Sequence, residues 1–501
     1  MFSLADVLAE EIPNAHYVGG IVRSSLLNRF SSDIDIALPA SEIKQAAARL
    51  AKRLNAAVFE MDPELGVWRL VTHQEKIQLD LTAYQGANLK EDLLRRDFAF
   101  NALAYPVSAR PEIVVMPREN DTAHLLLKGL QNNLIVDECD GITDIKKKLI
   151  RLNGPHHFQE DPLRMLRAFR SAAELNFTID SRTLAQIKTD HALIVSSAGE
   201  RVREELERLL ATSKSYEMIK EMDQCGLLTS IFPELEAQRT CAEVYYGKGG
   251  VLKHTLYVLK RMEYLLEHLE VAFPKYASAL IPFTKNKALY KMAALLHDIA
   301  KPTTAKIQGD RLRFFYHEQK GAQMAKVVLD RLHYSRADIR LICSMIGEHL
   351  RPSNLASNNV LTDRGIYHFF RDLKEAAIPM LLLCWADYTS YITEDQLQQI
   401  IPRTEQRLMT IEQAKREKNI GKTLRHLQVL FVLFGKYFES PQKVRPTRLV
   451  TGQDVMLICH LPPCPRVGEI LEAVSIAQVE GEVTSREEAL TFLQQTFCTK
   501  K

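Results

Sequence analysis

Two aspartates, Asp33 and Asp35, lie two positions apart in the stretch SSDIDIALP, where apolar residues alternate with them. An alternation of period two predicts a β-strand, so both carboxylates should point to the same face of a sheet. Carboxylates held this close repel one another unless a cation lies between them, and hard oxygen ligands of this kind suit Mg²⁺. Asp80, in the alternating stretch IQLDLTAY, is the candidate for a third ligand if its strand lies beside the first. These three residues are therefore predicted to be catalytic.

A glycine pair precedes this strand, in the order strand, Gly19-Gly20, helix-like run IVRSSLLNRF, strand with the aspartates. Glycine lets backbone N–H groups approach a phosphate closely, and Arg23, in the first turns of the helix, would reach the same group. Taken singly, a glycine pair is usually a turn, and two spaced aspartates are usually a solvated strand edge. Their order and spacing together favour a site for nucleotide phosphates.

A row of charged residues runs through the stretch EDPLRMLRAFR, where Asp161, Arg164, Arg167 and Arg170 are three positions apart. On a helix each of them neighbours the next, beside a more apolar stripe. Three arginines in one row repel unless an anion lies there, and the guanidinium fork matches phosphate or base-edge acceptors. The alternative is an exposed helix surface covered with ordinary salt bridges.

Histidines and aspartates of metal-ligand type are spread over the second half of the chain. We predict metal ligands at His254, His297, Asp298, His349 and Asp387, with His317 among the spaced histidines beside them. Imidazole and carboxylate together suit transition metals such as Mn, Ni, Zn or Fe. Such a metal would lower the pKa of a bound water enough for the water to attack phosphorus. A single histidine on an apolar helix would more often be a core or surface residue.

Composition sets wide limits on the class of protein. The 501 residues, 46% hydrophobic and 25% charged, predict a globular protein of two to four domains. The net charge of +3 does not by itself indicate nucleic-acid binding, so an RNA-binding face must come from local clusters. Eight scattered cysteines without a CxxC pair favour a reducing compartment and argue against a zinc ribbon or a disulfide framework. With no signal-like or membrane-spanning apolar run, we expect a cytoplasmic protein.

The elements that must position these residues change in type along the chain. Strands are predicted at 34–38, 67–73 and 76–83, and helices at 41–54 and 92–105, which makes the first hundred residues an α+β unit. Residues 107–133 are irregular and are interpreted as a loop or small insertion without an assigned function. After about residue 140 the pattern becomes helical and remains so to the end.

At this point the sequence resembles a known family. GGIVRSSLLNRFSSDIDIAL is similar to motif A of class II tRNA nucleotidyltransferases and bacterial poly(A) polymerases, which belong to the polymerase-β-like superfamily. RRDFAFNA (95–102) is similar to their motif RRDFTxNA, which implies that Arg96 and Asp97 contact the triphosphate and ribose. Ser24 stands where the family usually has Asp, and Ala99 where it has Thr.

Two further stretches extend the resemblance. EDPLR resembles the EDxxR motif, which implies that Asp161 and Arg164 pair with the base edge, with Arg167 and Arg170 near the base or phosphates. The histidines and aspartates downstream, with HDIAK at their centre, resemble the HD phosphohydrolase superfamily. VDECDGITD (136–144) is similar to the family's connector between head and neck, and its role is expected to be structural.

The resemblance implies an α+β fold with a nucleotidyltransferase head at 1–150, an all-α neck for base recognition and RNA binding at 151–240, an HD domain at 241–400, and a helical tail at 401–501. The function it implies is template-independent addition of C, A or both to the tRNA 3′ end from CTP and ATP. Mg²⁺ in the head would activate the RNA 3′-hydroxyl. Alternatives are a poly(A) polymerase, an HD phosphohydrolase whose head only binds nucleotide, and a non-catalytic RNA-binding protein.

Overall fold

The computed structural model of this chain describes residues 3–63, 65–118, 122–357, 361–417 and 420–497. The chain forms two compact units, Met1–Glu205 with Glu221–Ile231, and Leu206–Lys220 with Phe232–Lys501. The four-domain division predicted from the sequence is finer than this and stays a prediction. None of the helices in the described ranges combines the length and hydrophobicity that a membrane-spanning segment requires.

A seven-stranded sheet lies at the centre of the first unit, in the order β3-β4-β5-β2-β1-β6-β9. The strands of this unit are β1 His16–Val18, β2 Ile34–Leu38, β3 Ala56–Asp62, β4 Val67–Thr72, β5 Gln78–Ala83, β6 Leu103–Pro106, β7 Glu112–Met116, β8 His124–Lys128, β9 Val136–Asp137, β10 Leu149–Ile150 and β11 Thr178–Ile179. Only β2 and β5 pair in parallel within the sheet, and their register sets Asp35 opposite Asp80. The expectation that the strand of Asp80 lies beside that of Asp35 is thus confirmed.

Helices cover the sheet and continue beyond it. They are α1 Leu4–Glu11, α2 Gly20–Leu26, α3 Ala40–Leu54, α4 Leu89–Arg95, α5 Gly141–Lys147, α6 His157–Glu160, α7 Leu163–Leu175, α8 Ser181–Asp190, α9 Gly199–Leu210, α10 Ser215–Gln224 and α11 Leu227–Ile231. The apolar side chains of α3 recur every three or four residues and are buried, so the helix packs one face on the sheet. Both α9 and α10 contribute residues to the two units.

The helix that follows β5 is shorter at its end than the sequence predicts. The helix predicted at 92–105 ends at Arg95, and the chain continues through a 3₁₀ turn, Ala99–Asn101, into β6. Asp97 explains the break, because its carboxylate accepts hydrogen bonds from the Phe98 N–H and the Asn101 side chain instead of leaving the backbone to continue a helix.

Residues 107–133 contain the antiparallel hairpin β7–β8, so of the two alternatives the loop is wrong for the described part of that range and a small insertion agrees with it. β8 packs on α2, and Leu125 forms a β-bridge with Ser31 just before the aspartates. The apolar residues of the hairpin are half-buried in β7, at 113–115, and buried in β8, at 125–127. This segment therefore supports the strand that carries the catalytic candidates.

The second unit is almost entirely helical. Its elements are α12 Glu243–Tyr246, α13 Gly250–Glu267, α14 Leu269–Ala272, α15 Ala277–Leu280, α16 Lys287–Leu296, α17 Lys301–Thr304, β12 Ala305–Gln308, β13 Arg311–Phe314, α18 His317–Arg331, α19 Arg336–Glu348, α20 Arg351–Ala356, α21 Asp363–Leu373, α22 Ala377–Thr389, α23 Glu394–Ile400, α24 Ile411–Arg416, α25 Gly421–Glu439, α26 Pro441–Val444, α27 Gly452–Ile458, α28 Pro465–Glu480 and α29 Arg486–Phe497. Every residue of α22 is buried, which makes it the central helix, packed against α13, α16, α19 and α25. Among the described cysteines, six are free thiols and Cys459 is disulfide-bonded, which is not the disulfide framework that the sequence argues against.

Gly141, the first residue of α5, lies against the turn Ala99–Asn101. A Cβ added at Gly141 would be 2.2 Å from the carbonyl oxygen of Ala99. We expect Gly141→Ala to lower the free energy of unfolding by about 1–3 kcal/mol, because the turn must move. Gly468→Ala in α28 is the matched control, since no heavy atom of the described residues lies within 4 Å of that added Cβ. Thermal unfolding measures both, and equal melting temperatures would contradict the prediction.

Candidate functional site

Three carboxylates meet at one place on the sheet of the first unit. Asp33 directly precedes β2, Asp35 lies within it, and Asp80 lies on the neighbouring β5. One oxygen from each lies within 4.8 Å of the others, so the structure brings together the residues that the sequence proposes as catalytic. The Ser31 and Ser32 hydroxyls donate to Asp33 over 3.2 and 3.3 Å and help to orient it. An all-oxygen set of this size fits Mg²⁺ better than a transition metal.

The electrostatics of the cluster reflect the crowding of negative charge. Burial and repulsion from Asp33 raise the pKa of Asp35 to about 7 in the metal-free protein. Arg69 on β4 pairs with Asp80 through two hydrogen bonds of 2.8 Å, and Gln78 donates to the same carboxylate over 3.1 Å. The negative charge of Asp80 is thus balanced by Arg69, and the charge of Asp35 is reduced because its carboxyl is partly protonated near pH 7.

The glycine pair borders this cluster directly. Gly19 has a φ of +65°, and a Cβ there would lie 3.0 Å from the Arg96 guanidinium and 3.5 Å from Asp35. A side chain at Gly19 would therefore be strained and would press on both groups, which explains the glycine. Arg23 on α2 donates to the Asn101 side chain over 2.6 Å and to the Ser24 hydroxyl over 3.2 Å. Ser24, where the family usually has Asp, thus helps to hold Arg23.

Arg96 and Asp97 lie behind the glycine turn. Arg96 is held by two hydrogen bonds to Asp92, of 3.0 and 3.1 Å, with its guanidinium facing Gly19. Asp97 is buried and faces Arg167 at 3.4 Å. Burial would raise the pKa of Asp97, but Arg167 and the hydrogen bond from Asn101 lower it below its ordinary value. Asp97 is thus engaged in an internal network.

Asn101 connects the two halves of the site, although it was not among the predicted site residues. Its side-chain oxygen accepts from Arg23, and its amide nitrogen donates to Asp97. The chain Arg23–Asn101–Asp97–Arg167 therefore links the phosphate turn to helix α7. The signal in the sequence was its place in RRDFAFNA, six residues after Arg95.

The predicted base-reading residues lie at the start of α7. Arg201 on α9 contacts Asp161 at 3.0 Å. Arg164 donates to the carbonyl oxygens of Arg95 and His157, at 3.1 and 3.2 Å, and contacts Glu160. Backbone carbonyls thus hold Arg164 in place, whereas Asp161 is paired with a side chain that another partner could replace.

Arg167 and Arg170, the other two arginines of the row, are paired with carboxylates of the protein itself. Arg167 lies 3.4 Å from both Asp97 and Glu205. Arg170 is buried and contacts Glu205 at 2.6 Å and Glu174 at 2.9 Å. The contacts of Arg170 therefore favour a role in positioning α7, and not in binding a nucleotide.

A second cluster lies in the helical unit. The Nδ1 atoms of three histidines lie 2.7–2.8 Å from the backbone carbonyl three residues earlier, at His297, His317 and His349. Donation from Nδ1–H to these carbonyls leaves each Nε2 as a lone-pair donor pointing inwards. His254 is held in the same way by Ser390, 3.1 Å from its Nδ1.

The ligand atoms of this cluster form two groups, each within 4.8 Å: His254, His297 and Asp387, and then Asp298, His317 and His349. His317, which was not among the predicted metal ligands, completes the second group. The Nε2 atoms of His254 and His297 are buried and lack a hydrogen-bond partner among the described residues. Burial and repulsion from His297 lower the pKa of His349 to about 4, so it is neutral at pH 7. The donor set fits two transition-metal ions.

Comparisons with known proteins match family profiles to the ranges of the chain that contain the two clusters. Residues 15–151 match the family profile "Poly A polymerase head domain", 176–239 match "Probable RNA and SrmB- binding site of polymerase A", and 251–392 match "HD domain". The A-adding tRNA nucleotidyltransferase of Deinococcus radiodurans is 27% identical over 96% of this chain and 95% of its own. The CC-adding tRNA nucleotidyltransferase of Thermus thermophilus is 28% identical over 96% of this chain and 93% of its own.

Solved structures share the fold over nearly the whole length. A CCA-adding enzyme in its apo form has a TM-score of 0.62 at 17% identity, covering 99% of this chain and 93% of that chain. A Thermotoga maritima CCA-adding enzyme complexed with tRNA has a TM-score of 0.59 at 18% identity, covering 98% and 94%. The α+β head followed by helical domains predicted from the sequence is thus confirmed.

The raised pKa of Asp35 has a measurable consequence. Below pH 7 the metal-free carboxyl holds a proton that Mg²⁺ must displace, whereas above pH 7 it is already ionised. Mg²⁺ affinity should therefore fall about tenfold per pH unit below 7. Calorimetric titration in buffers of different ionisation enthalpy should detect close to one proton released per Mg²⁺ at pH 6 and almost none at pH 8.5. Release that does not change with pH, or that persists in Asp35→Asn, would contradict the assignment.

Proposed function

Since the chain belongs to the family of tRNA nucleotidyltransferases and bacterial poly(A) polymerases, with an HD domain, we propose that it adds C, A or both to the 3′ end of tRNA. CTP and ATP are the nucleotide substrates, and no nucleic-acid template is used. The observation that carries this proposal is the convergence of Asp33, Asp35 and Asp80 beside the Gly19 turn. The relatives that span nearly the whole chain are named A-adding or CC-adding, which favours tRNA over poly(A) synthesis.

Different side chains of the head bind the metal and the triphosphate during nucleotidyl transfer. Mg²⁺ held by Asp33, Asp35 and Asp80 would activate the RNA 3′-hydroxyl and stabilise the charge that develops on pyrophosphate. Arg23 and Arg96 face the glycine turn and bind the triphosphate. The 3′-oxygen bonds to the α-phosphorus as the bond between the α- and β-phosphates breaks, and the hydroxyl proton is lost to solvent.

Base selection belongs to Asp161 and Arg164. Asp161 accepts a hydrogen bond from the exocyclic amino group that C and A share, and Arg164 donates to a ring nitrogen or carbonyl. Asp161 must exchange its contact with Arg201 for the base, which is a small rearrangement of surface side chains. G and U do not offer this pair of partners in the same positions.

A second activity, metal-dependent phosphoester hydrolysis, is favoured by the HD cluster. Four imidazoles held by backbone or hydroxyl partners, with Asp298 and Asp387 between them, form a donor set for transition metals such as Mn, Ni, Zn or Fe. Lys301 contacts Asp298 at 2.5 Å. Burial opposes ionisation of Asp298, but His297 and Lys301 hold its pKa well below the ordinary value, so it remains a carboxylate.

The transferase proposal is tested on tRNAs that end before CCA, after C and after CC, each with CTP or ATP alone. The wild type should extend at least one of them, and sequencing of the 3′ ends identifies C, A or CCA addition. Asp33→Ala with Asp35→Ala should reduce extension at least about a thousandfold, since the metal ligands are lost. Glu75→Ala with Glu112→Ala, two exposed acids of the same unit, should have no effect. Extension of a non-tRNA RNA only, with an A-tail, would refute tRNA end addition.

The HD proposal is tested by phosphate-ester release with Mn²⁺ after removal of bound metal. His297→Ala should lose the hydrolysis of 2′,3′-cyclic AMP and one metal ion per chain, measured by mass spectrometry, while tRNA extension stays within about twofold. His268→Ala, at an exposed histidine of the same unit, is the control. Hydrolysis that survives in His297→Ala would show that it arises elsewhere.

A further inference from the structure

The hairpin β12–β13 presents a cationic face. Lys306 pairs with Arg313, and Gln308 with Arg311, so these four residues lie on one side of the two strands. Lys306, Arg311 and Arg313 are all exposed. The only acidic residue of the hairpin is Asp310, in the turn.

This positive charge is not balanced within the described chain. No ion pair is present for Lys306, Arg311 or Arg313 among the residues that the structure describes. Lys306 and Arg313 are directly opposite, an arrangement of like charges that destabilises a strand pair. An isolated two-stranded hairpin is already marginal in water, so this placement of cations is costly for folding alone.

The hairpin is joined firmly to the HD cluster. The carbonyl of Phe314, its last residue, lies 2.7 Å from Nδ1 of the metal-ligand candidate His317. The Tyr245 hydroxyl both accepts from the Leu312 N–H and donates to its carbonyl, over 3.0 and 3.1 Å. The next residue, Tyr246, stacks on His254 with ring centroids 4.9 Å apart. The hairpin that carries the cationic face is therefore attached directly to the metal cluster.

Two exposed aromatic residues stand between the hairpin and His317. Phe315 is 50% exposed and Tyr316 is 69% exposed. Tyr316 also has a φ of +59°, a left-handed conformation that is uncommon for a bulky residue and that occurs more often at functional positions. Exposed aromatic rings next to cations are the combination by which proteins bind single-stranded nucleic acid, with bases stacked on the rings and phosphates on the cations.

We propose that this hairpin binds single-stranded RNA. The preferred substrate of the HD site is then the phosphoester-bearing end of an RNA strand, and not a free nucleotide. A strand of four residues is about 13 Å long, which exceeds the reach of one mononucleotide phosphate. Water adds to the phosphorus of the terminal ester, one ester P–O bond breaks, and the ribose oxygen leaves with a proton from that water. The substrate preference rests on the proposed HD hydrolase.

The test compares two substrates, 2′,3′-cyclic AMP and a hexauridylate that ends in a 2′,3′-cyclic phosphate, both with Mn²⁺. The variant Lys306→Gln/Arg311→Gln/Arg313→Gln should raise KM for the hexanucleotide at least about tenfold and leave both constants for cyclic AMP within about twofold. The charge-keeping variant Lys306→Arg/Arg311→Lys/Arg313→Lys should restore the wild-type KM. Lys285→Gln/Arg336→Gln/Arg340→Gln removes the same charge elsewhere in the unit and should have no effect.

The outcomes separate the two proposals. If the wild type hydrolyses neither substrate, the HD hydrolase is refuted, and the hairpin is judged by anisotropy of a labelled hexauridylate at several salt concentrations. There the triple Gln variant should reduce the slope of log affinity against log salt by about 2 relative to the control. Its melting temperature should not fall, because a repulsion is removed. Equal KM values, or equal salt slopes, for variant and control would overturn the role of the hairpin.

Discussion

The parallel pairing of β2 and β5 forces Asp35 and Asp80 to face each other, with Asp33 beside them, and the rest of the head depends on how this crowding is tolerated. Without a cation, the protein relieves it with the guanidinium of Arg69 and with a proton on Asp35. The glycine turn leaves room for this arrangement, because a side chain at Gly19 would meet Asp35 and Arg96. The site is therefore prepared for divalent metal by the same repulsion that destabilises it in the absence of metal.

The HD cluster also holds candidate metal ligands close together, but most of them are imidazoles instead of carboxylates. Its imidazoles are buried, and hydrogen bonds from Nδ1 to a backbone carbonyl, or to the Ser390 hydroxyl in the case of His254, fix the tautomer and the direction of each Nε2. Rigid imidazole nitrogens suit transition metals, whereas carboxylate oxygens of the kind found in the head suit Mg²⁺. The two donor sets thus favour different classes of metal ion, hard cations at the carboxylates and transition metals at the imidazoles.

Sequence reasoning was reliable where a periodic pattern and a chemical requirement coincided. The alternation around Asp33, Asp35 and Asp80 predicted both strands, and the need for a third metal ligand raised the adjacency that the structure shows. It failed where a side chain competed with the backbone, as Asp97 does in ending the helix expected over 92–105. It also could not show that Glu205 supplies the anion between Arg167 and Arg170, because that carboxylate comes from a distant helix. Asn101 and His317 stood in stretches that the sequence singled out, but neither was assigned a site role, because neither has a spacing that marks it on its own.

The central claim is that protein side chains, without RNA, combine metal-held triphosphate with a choice of base. Calorimetric titration of the RNA-free protein with each of the four ribonucleoside triphosphates, in Mg²⁺, tests it most directly. We expect CTP or ATP to bind at least about tenfold more tightly than GTP and UTP, a difference of one or two base-edge hydrogen bonds. Asp161→Ala should abolish this preference while keeping the weaker, metal-dependent affinity common to all four. Equal binding of the four nucleotides by the wild type, or an unchanged preference in Asp161→Ala, would show that these side chains do not choose the base.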